Sequence, residues 1–185
     1  MNQGYPSYEQ VQQTKEILQN IAYQHWISDE FLSWKWWLLL VLAIVPWFIW
    51  WKLVDKKRLP QILIYGMLLA MMAIVLDSIG TELLWWSYPD KLIQTMPPLL
   101  PADLTLVPTL FMLVYSFFPT GRGYFNGMLG MSLFSAFVGE PLFIWLDFYR
   151  LHEWHLVYSL FFYLSSNAIA RWLVDRIYEV SKKAA

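Results

Sequence analysis

Two carboxylates stand inside otherwise apolar segments of this chain, and their positions could support chemistry. Asp77 lies within Ile62–Trp86, and Glu140 lies within Tyr124–Leu146. Both stand at a similar distance from the start of their segments, which at a helical rise of about 1.5 Å per residue gives a depth of roughly 24 Å in a ~30 Å hydrocarbon layer. An ionisable group at that depth is costly, so each is a functional-site hypothesis by default.

Further acidic residues follow near the same predicted side of the membrane. Glu82 lies about one and a half turns beyond Asp77, and Asp103 stands at the outer boundary of the next apolar segment. Acidic groups crowded in a medium of low dielectric constant resist full ionisation, which favours proton handling or cation binding. The predicted ligand-binding or proton-handling residues of one outward-facing polar pocket are therefore Asp77, Glu82, Asp103 and Glu140.

A structural role for these carboxylates is the alternative. Pro141 leaves the carbonyl of Phe137 without its usual helical donor, and a protonated Glu140 could supply one. A buried Asp or Glu can also pair with a Tyr or Trp donor on a neighbouring segment. Carboxylates used in this way would hold broken helices in place and bind no ligand.

Three residues are weaker candidates for the same pocket. Asp147 lies about two turns beyond Glu140, and His152 and His155 form a pair with i, i+3 spacing. Such a pair and a nearby carboxylate can bind a metal, although two histidines at a helix entrance are more often interfacial residues. We predict no metal site, no cofactor and no catalytic residue, because the serines lack an adjacent base and the chain has no cysteine.

The composition indicates a membrane protein. Of 185 residues, 58% are apolar and 15% are charged, against about 25% charged in a soluble domain. The 12 Trp and 11 Tyr suit the headgroup region, where a ring is half dry and half wet. A net charge of -1 gives no electrostatic reason to expect a nucleic-acid partner.

Five apolar segments have, or approach, the length needed to span a bilayer as helices. They are Trp36–Val54, Ile62–Trp86, Leu104–Phe118, Tyr124–Leu146 and Trp154–Val174. Continuous apolar runs favour helices over the alternating strands of membrane barrels. The sequence therefore predicts an all-α membrane protein, a bundle of five transmembrane helices.

Basic residues predict how this bundle is oriented. Most of the 13 Lys and Arg residues lie in Lys52–Arg58, in Thr120–Gly123 and in the tail that begins at Arg171. The positive-inside rule then places the N-terminus outside and the helical C-terminal tail in the cytoplasm. Residues 1–35 form an external amphipathic segment and residues 36–185 the transmembrane domain. The external helix lacks a basic face, so we expect it to pack against the bundle.

An ordered series of short motifs runs through the chain. It consists of Asp55-Lys56-Lys57-Arg58, Gly66, Asp77-Ser78-Ile79-Gly80, Trp86-Ser87-Tyr88-Pro89, Leu100-Pro101-Ala102-Asp103, Pro108, Gly139-Glu140-Pro141-Leu142-Phe143, Tyr149, Trp154 and Tyr158-Ser159. In this series the chain resembles a family of small uncharacterised multi-span membrane proteins of endospore-forming Firmicutes, named only by a clostridial locus tag. The resemblance covers roughly Trp36–Val174 and implies a multi-pass protein of the bacterial plasma membrane, with no activity attached.

Three functions fit these observations. The first is a non-enzymatic membrane protein whose pocket binds a small ligand, a cation or proton, a lipid or a partner subunit. The second is a lipid- or isoprenoid-modifying enzyme that uses paired carboxylates as general acid and base. The third is a purely structural membrane partner. The expected partners are the lipid bilayer and another membrane protein or a second copy of the chain, and we favour a function without catalysis.

Overall fold

The computed structural model describes residues 5–96 and 98–184, so Met1–Gly4 of the predicted external segment, like Pro97 and Ala185, lie outside the described residues. The fold is 79% helical with almost no strand, which confirms the predicted helical class. The helices are α1 (Tyr8–His25), α2 (Trp34–Leu53), α3 (Leu59–Glu82), α4 (Val107–Phe117), α5 (Gly121–Phe134), α6 (Glu140–Trp145) and α7 (Leu156–Ala184). Two short strands, β1 (Trp86–Ser87) and β2 (Arg150–Leu151), pair antiparallel.

Three helical segments are long and apolar enough to cross a membrane, namely Trp34–Leu53, Lys56–Glu82 and Gly121–Trp145. The segment Pro101–Phe117 is apolar but shorter. Large apolar side chains also cover the outside of the bundle, for example Phe48 at 67% and Met67 at 70% exposed. Apolar surfaces of this kind need an apolar surrounding, so the chain is a membrane-embedded protein.

Two π-helical turns stand before helix prolines. Residues Pro101–Leu106 lead into α4 ahead of Pro108, and Ser135–Gly139 join α5 to α6 ahead of Pro141. Proline cannot donate to the carbonyl four residues earlier, so the regular hydrogen-bond ladder is interrupted at these positions. The π-helical turns accommodate the interruption, and such turns are frequent at functional sites.

The packed interior lies between α3, α4, α5 and α7. The rings of Tyr65 and Tyr115 stack with their centroids 4.5 Å apart, and the Tyr65 hydroxyl donates to Asn167. Gly66 allows α3 to approach α4, because a Cβ there would lie 2.3 Å from the Met112 sulfur. Small residues at such crossings let helix backbones pack closely in a membrane.

The two ends of the bundle carry different side chains. At the basic end, defined by residues 54–58 and 118–122, Arg58 donates to the Tyr115 carbonyl at 3.2 Å and Arg171 donates to the Pro119 carbonyl at 3.1 Å. A cation at the carbonyl end of α4 complements the helix dipole. The loop end is defined by residues 83–100 and 146–155, which include the β1–β2 pair.

Polar anchors hold the loop end over the helices. Trp36 Nε1 donates to the Leu92 carbonyl at 3.1 Å, and Lys35 Nζ lies 2.6 Å from the Asp90 carboxylate. The loop that holds Asp90 and Leu92 is therefore tied to the start of α2. The predicted domain boundary after residue 35 falls inside α2, which begins at Trp34.

Helix α1 begins at a capping box but leaves the bundle. The Ser7 hydroxyl accepts from Gln10 N at 3.2 Å, and the Gln10 side chain accepts from Ser7 N at 2.8 Å. No residue of α1 is buried, and Ile17 and Leu18 are 61% and 63% exposed. The expectation that this helix packs against the bundle is therefore wrong. Anchoring begins just after it, where Trp26 Nε1 donates to the Lys91 carbonyl at 3.0 Å.

Candidate functional site

A cavity of about 330 Å³ lies at the loop end of the bundle. Its walls come from α2, α3, the two π-helical turns, α4, α6, α7 and the loop residues between them. The polar side chains among its lining residues are Asp77, Trp86, Tyr88, Asp103, Ser135, Glu140, Tyr149, Trp154, Ser159 and Tyr163. The volume is at the lower end of the range for small-molecule sites, about 300–1,000 Å³.

Asp77 is held by three donors from the loop that follows its own helix. One carboxylate oxygen, Oδ1, accepts from Trp86 Nε1 at 2.7 Å and from the Tyr88 hydroxyl. The other oxygen, Oδ2, accepts from the backbone N–H of Leu99 at 3.0 Å. The side chain is buried, so these bonds replace its hydration. Asp77 therefore fixes the path of residues 86–99 over the cavity.

A glycine one turn later makes this arrangement possible. A Cβ at Gly80 would lie 2.1 Å from the Trp86 ring, well inside van der Waals contact. The indole can therefore lie flat over α3 and reach back to Asp77 only because position 80 has no side chain. Trp86 is 4% exposed and also packs at right angles to Trp154, with the ring centroids 4.9 Å apart.

Asp103 contributes a buried carboxyl group, one oxygen of which has no hydrogen-bond partner in the described part of the chain. It lies on the π-helical turn before α4, is 9% exposed, and its side chain is close enough to Asp77 for a direct carboxyl–carboxyl interaction. Its Oδ2 atom is buried and has no hydrogen-bond partner within residues 5–96 and 98–184. Two carboxylates in contact repel each other unless a proton or a cation lies between them.

Glu140 is bound by two hydroxyl groups of α7. Oε2 accepts from Ser159 Oγ at 2.8 Å, and Oε1 accepts from the Tyr163 hydroxyl at 2.9 Å. Ser159 in turn accepts from Trp154 Nε1 at 2.8 Å. The two hydroxyls are four residues apart on α7 and so lie on one face of that helix. This network joins the proline-broken helix of Glu140 to α7.

Tyr149 stands among the three carboxyl groups. It is buried, and burial raises the pKa of its hydroxyl. The negative charges of Glu140, Asp77 and Asp103 raise that pKa further, in this order. Its ring stacks on that of Tyr88 with the centroids 5.6 Å apart. Tyr149 is therefore a neutral hydroxyl at the polar part of the cavity.

Polarity changes along the cavity in the same sense on the walls formed by α3 and α4. On α3, Ala73 and Leu76 come before Asp77, whereas on the α4 wall Leu106 and Leu110 come after Asp103. These helices run in opposite directions, so in both cases the acid faces the loop end and the apolar residues face the middle of the bundle.

On the wall that carries Glu140, apolar residues lie on both sides of the acid, because Leu142 and Phe143 also line the cavity. Phe134 and Val138 precede Glu140, and Phe162 follows Ser159. Phe134 and Val138 are 50% and 51% exposed, so this wall of the cavity is continuous with the apolar surface of the protein.

The structure brings Asp77, Asp103 and Glu140 together but leaves Glu82 out. Glu82 is exposed at the end of α3 and does not line the cavity. Five residues of helix rotate its side chain by about 140° from Asp77, away from the cavity. Its predicted place in the pocket is therefore corrected.

The weaker candidates also lie outside the cavity lining. Two hydrogen bonds from Arg150, at 2.7 and 2.9 Å, lower the pKa of Asp147. His152 is exposed and hydrogen-bonds Ser87 at 2.9 Å, and His155 is exposed with its ring against Tyr158. Each of these three residues has a polar or aromatic partner outside the cavity, which explains why none of them lines it.

Sequence reasoning did not identify the donors that surround the carboxylates. Trp86 is a residue type expected in an interfacial aromatic belt, but its indole N–H instead donates to Asp77. Ser159 and Tyr163 carry a detectable signal, because two hydroxyl residues at i, i+4 spacing in an apolar helix point to one polar partner. The Leu99 N–H carries no signal in its residue type.

The described residues contain no group of three or more His, Cys, Asp or Glu side chains that could hold a metal ion. Comparison with protein families, with curated proteins and with solved structures finds no match for this chain.

Proposed function

We propose that this chain is a non-enzymatic, multi-pass protein of a bacterial plasma membrane that binds a small amphiphilic molecule in its carboxyl-lined cavity. The observation that carries the proposal is the meeting of Asp77, Asp103 and Glu140, from three separate elements, around one cavity with otherwise apolar walls. Sites for small ligands are mostly apolar with a few placed polar groups. A head group would lie among the carboxyls and an apolar tail among the leucines.

The access route favours a ligand that comes from the membrane. Half-exposed Phe134, Val138 and Leu142 both line the cavity and belong to the apolar outer surface. A molecule dissolved in lipid could therefore enter sideways without crossing a charged surface. The position of Asp77 under three donors assigns it mainly to holding the loop, which leaves Asp103 and Glu140 to contact the ligand.

The proposed topology has five spans. The segment Pro101–Phe117 and the first part of α7 would join the three long apolar helices, with the N-terminus outside and the C-terminus in the cytoplasm. Two features support it: basic residues collect at the basic end, as the positive-inside rule requires of a cytoplasmic face, and the cavity lies at the opposite end. The cavity would then face the outer leaflet.

Photolabelling tests the binding proposal. The full chain is reconstituted in phosphatidylcholine vesicles and irradiated with an octanol probe that carries a diazirine, and the modified residues are mapped by mass spectrometry. We expect labels on cavity-lining residues. Val138→Trp should reduce them by filling the cavity, whereas Phe137→Trp is the matched control, since Phe137 is exposed on the same turn but does not line the cavity. Labels confined to outer surfaces, or equal in both variants, would refute binding.

Single cysteines test the topology without a background, because the chain has none of its own. Ser7→Cys, Thr120→Cys and Ser181→Cys place thiols at exposed positions before α1, between α4 and α5, and near the end of α7. In intact cells a membrane-impermeant maleimide should label position 7 only, and the other two positions should react after permeabilisation. Labelling of positions 120 and 181 in intact cells would reverse the proposed orientation.

A further inference from the structure

We infer that the ligand of this cavity is an amphiphile with a protonated primary amine, whose N–H groups bind the free carboxylate oxygen of Asp103 while its apolar chain runs along α4 toward the middle of the bundle. The inference rests on the proposed function and adds the chemistry of the head group to it.

One carboxylate oxygen of Asp103 lacks a hydrogen-bond donor in the described part of the chain. Asp103 lines the cavity and is only 9% exposed, and its Oδ2 atom is buried and has no donor in the described part of the chain. A buried acceptor that makes no hydrogen bond costs free energy, more so when it belongs to a charged group. Asp77 and Glu140, the other two acids on the cavity lining, are satisfied by protein donors, so Asp103 is the group with a vacant acceptor.

The charges on the cavity lining favour a cationic ligand. Three carboxyl groups line the cavity, and no Lys, Arg or His stands among its lining residues. A cationic ligand would offset the repulsion between Asp77 and Asp103, which a neutral alcohol cannot do. A divalent metal ion fits poorly, since Ca²⁺ takes about six to eight oxygen ligands and the described residues offer no cluster of three metal-binding side chains.

The surroundings of the carboxyl groups favour a primary amine over a quaternary ammonium group. Aromatic rings of Trp86, Tyr88, Tyr149 and Trp154 border the carboxyls, as in sites for quaternary ammonium ions. Stacking, however, takes up one face each of Tyr88 and Tyr149, and Trp86 packs edge to face with Trp154 at an interplanar angle of 72°. The vacant acceptor requires an N–H or O–H donor, which a trimethylammonium group lacks, and of these two donors only a protonated amine also carries positive charge.

The residues that follow Asp103 indicate the direction of the ligand's alkyl chain. Asp103, Leu106, Val107 and Leu110 all line the cavity, and their spacing of three, four and seven residues defines one helical face. An amine at Asp103 therefore continues into an apolar stripe on the same helix. Ala73 and Leu76 on α3 lie on the same side of the acids, so an alkyl chain that points toward the middle of the bundle keeps its head among them.

Three matched probes test the inference in wild-type protein. Diazirine-bearing octylamine, octanol and octyltrimethylammonium differ only in head group, and the labelling of cavity-lining residues is measured against probe concentration in phosphatidylcholine vesicles. Unlabelled octylamine should compete with the amine probe. We expect the amine to saturate the cavity at lower concentration than the trimethylammonium probe. Equal labelling by these two probes would overturn the role of the N–H donors.

Variants then assign the selectivity to Asp103. Asp103→Asn should weaken amine labelling at least about tenfold, as expected for one charge-assisted hydrogen bond, and should leave octanol labelling nearly unchanged. Glu82→Gln is the matched control, because it removes the same charge from an exposed position outside the cavity. Comparing each probe between variants cancels differences in membrane partitioning.

The outcomes separate the two proposals. If amine and octanol label the cavity equally and Asp103→Asn changes neither, a shared proton satisfies the two aspartates; the amine inference then fails while the binding proposal stands. If no probe labels the cavity, both fail. If Asp103→Asn does not fold, the wild-type comparison of the three head groups still decides the inference.

Discussion

The hydrogen bonds of Asp77 lead to a quantitative prediction about Asp77→Asn. Trp86 Nε1 and Leu99 N–H can only donate, and they bind different oxygens of the carboxylate. An amide offers one oxygen, so in either rotamer one of these buried donors faces an NH₂ group. Leaving one buried donor unsatisfied costs about 1–3 kcal/mol. Asp77→Ala leaves all three donors without an acceptor. It should therefore lower the free energy of unfolding more, by up to about three times as much if the costs add.

A double-mutant cycle makes this prediction specific. In Asp77→Asn/Trp86→Phe the amide can turn its oxygen to the Leu99 N–H and donate its NH₂ to the Tyr88 hydroxyl, which can accept. The Leu99 N–H and the Tyr88 hydroxyl are then both paired. The double variant should therefore be more stable than the sum of the two single losses predicts, by about 1–3 kcal/mol.

Unfolding in mixed micelles measures these free energies. SDS is titrated into protein in dodecyl maltoside, and the fluorescence of the 12 Trp residues follows the transition. Glu82→Gln, an exposed acid on the same helix, should unfold like the wild type. Strict additivity of Asp77→Asn and Trp86→Phe, or an Asp77→Ala variant as stable as the wild type, would refute the role given to Asp77.

Three further predictions concern other parts of the structure. Gly80→Ala should displace the Trp86 ring, cost at least about 1–3 kcal/mol and shift Trp emission, whereas Gly130→Ala, which meets nothing within 4 Å, should stabilise by roughly 0.5–1 kcal/mol in the same SDS titration. Burial raises the pKa of Glu30 above its ordinary 4.5, although the Lys91 N–H bonded to it lowers the pKa and the nearby charges of Asp90 and His25 respectively raise and lower it. A group with a raised folded-state pKa loses its contribution to the free energy of unfolding as pH rises. Thermal unfolding should therefore show Glu30→Gln becoming more stable relative to the wild type between pH 4.5 and neutral, with no difference in stability below pH 4.5. A difference in stability that stays constant with pH would contradict this. Glu140→Gln should lose less than about 1 kcal/mol, because its two hydroxyl partners can accept as well as donate; a loss as large as that of Asp77→Asn would contradict the bonding scheme.

The amino-acid sequence by itself determined the helical class and the membrane environment, and it predicted a similar depth for two carboxylates. Long, continuous apolar runs specify helices that lipid must surround, because most backbone groups are then bonded within their own segment. Similar spacing from the segment starts also predicts that Asp77 and Glu140 stand at about one height. These are local properties, which depend on the helical rise and on the free energy of transferring side chains into lipid.

Which acids share a cavity was decided only by the tertiary structure. Asp103 enters it and Glu82 does not, because the rotation of α3 and the π-helical turn before α4 set the direction of each side chain. The donors of Asp77 come from a loop that folds back over α3 through the space left at Gly80. Contacts of this kind depend on how segments distant in the chain pack together, and no periodicity within one segment encodes the choice of its neighbours.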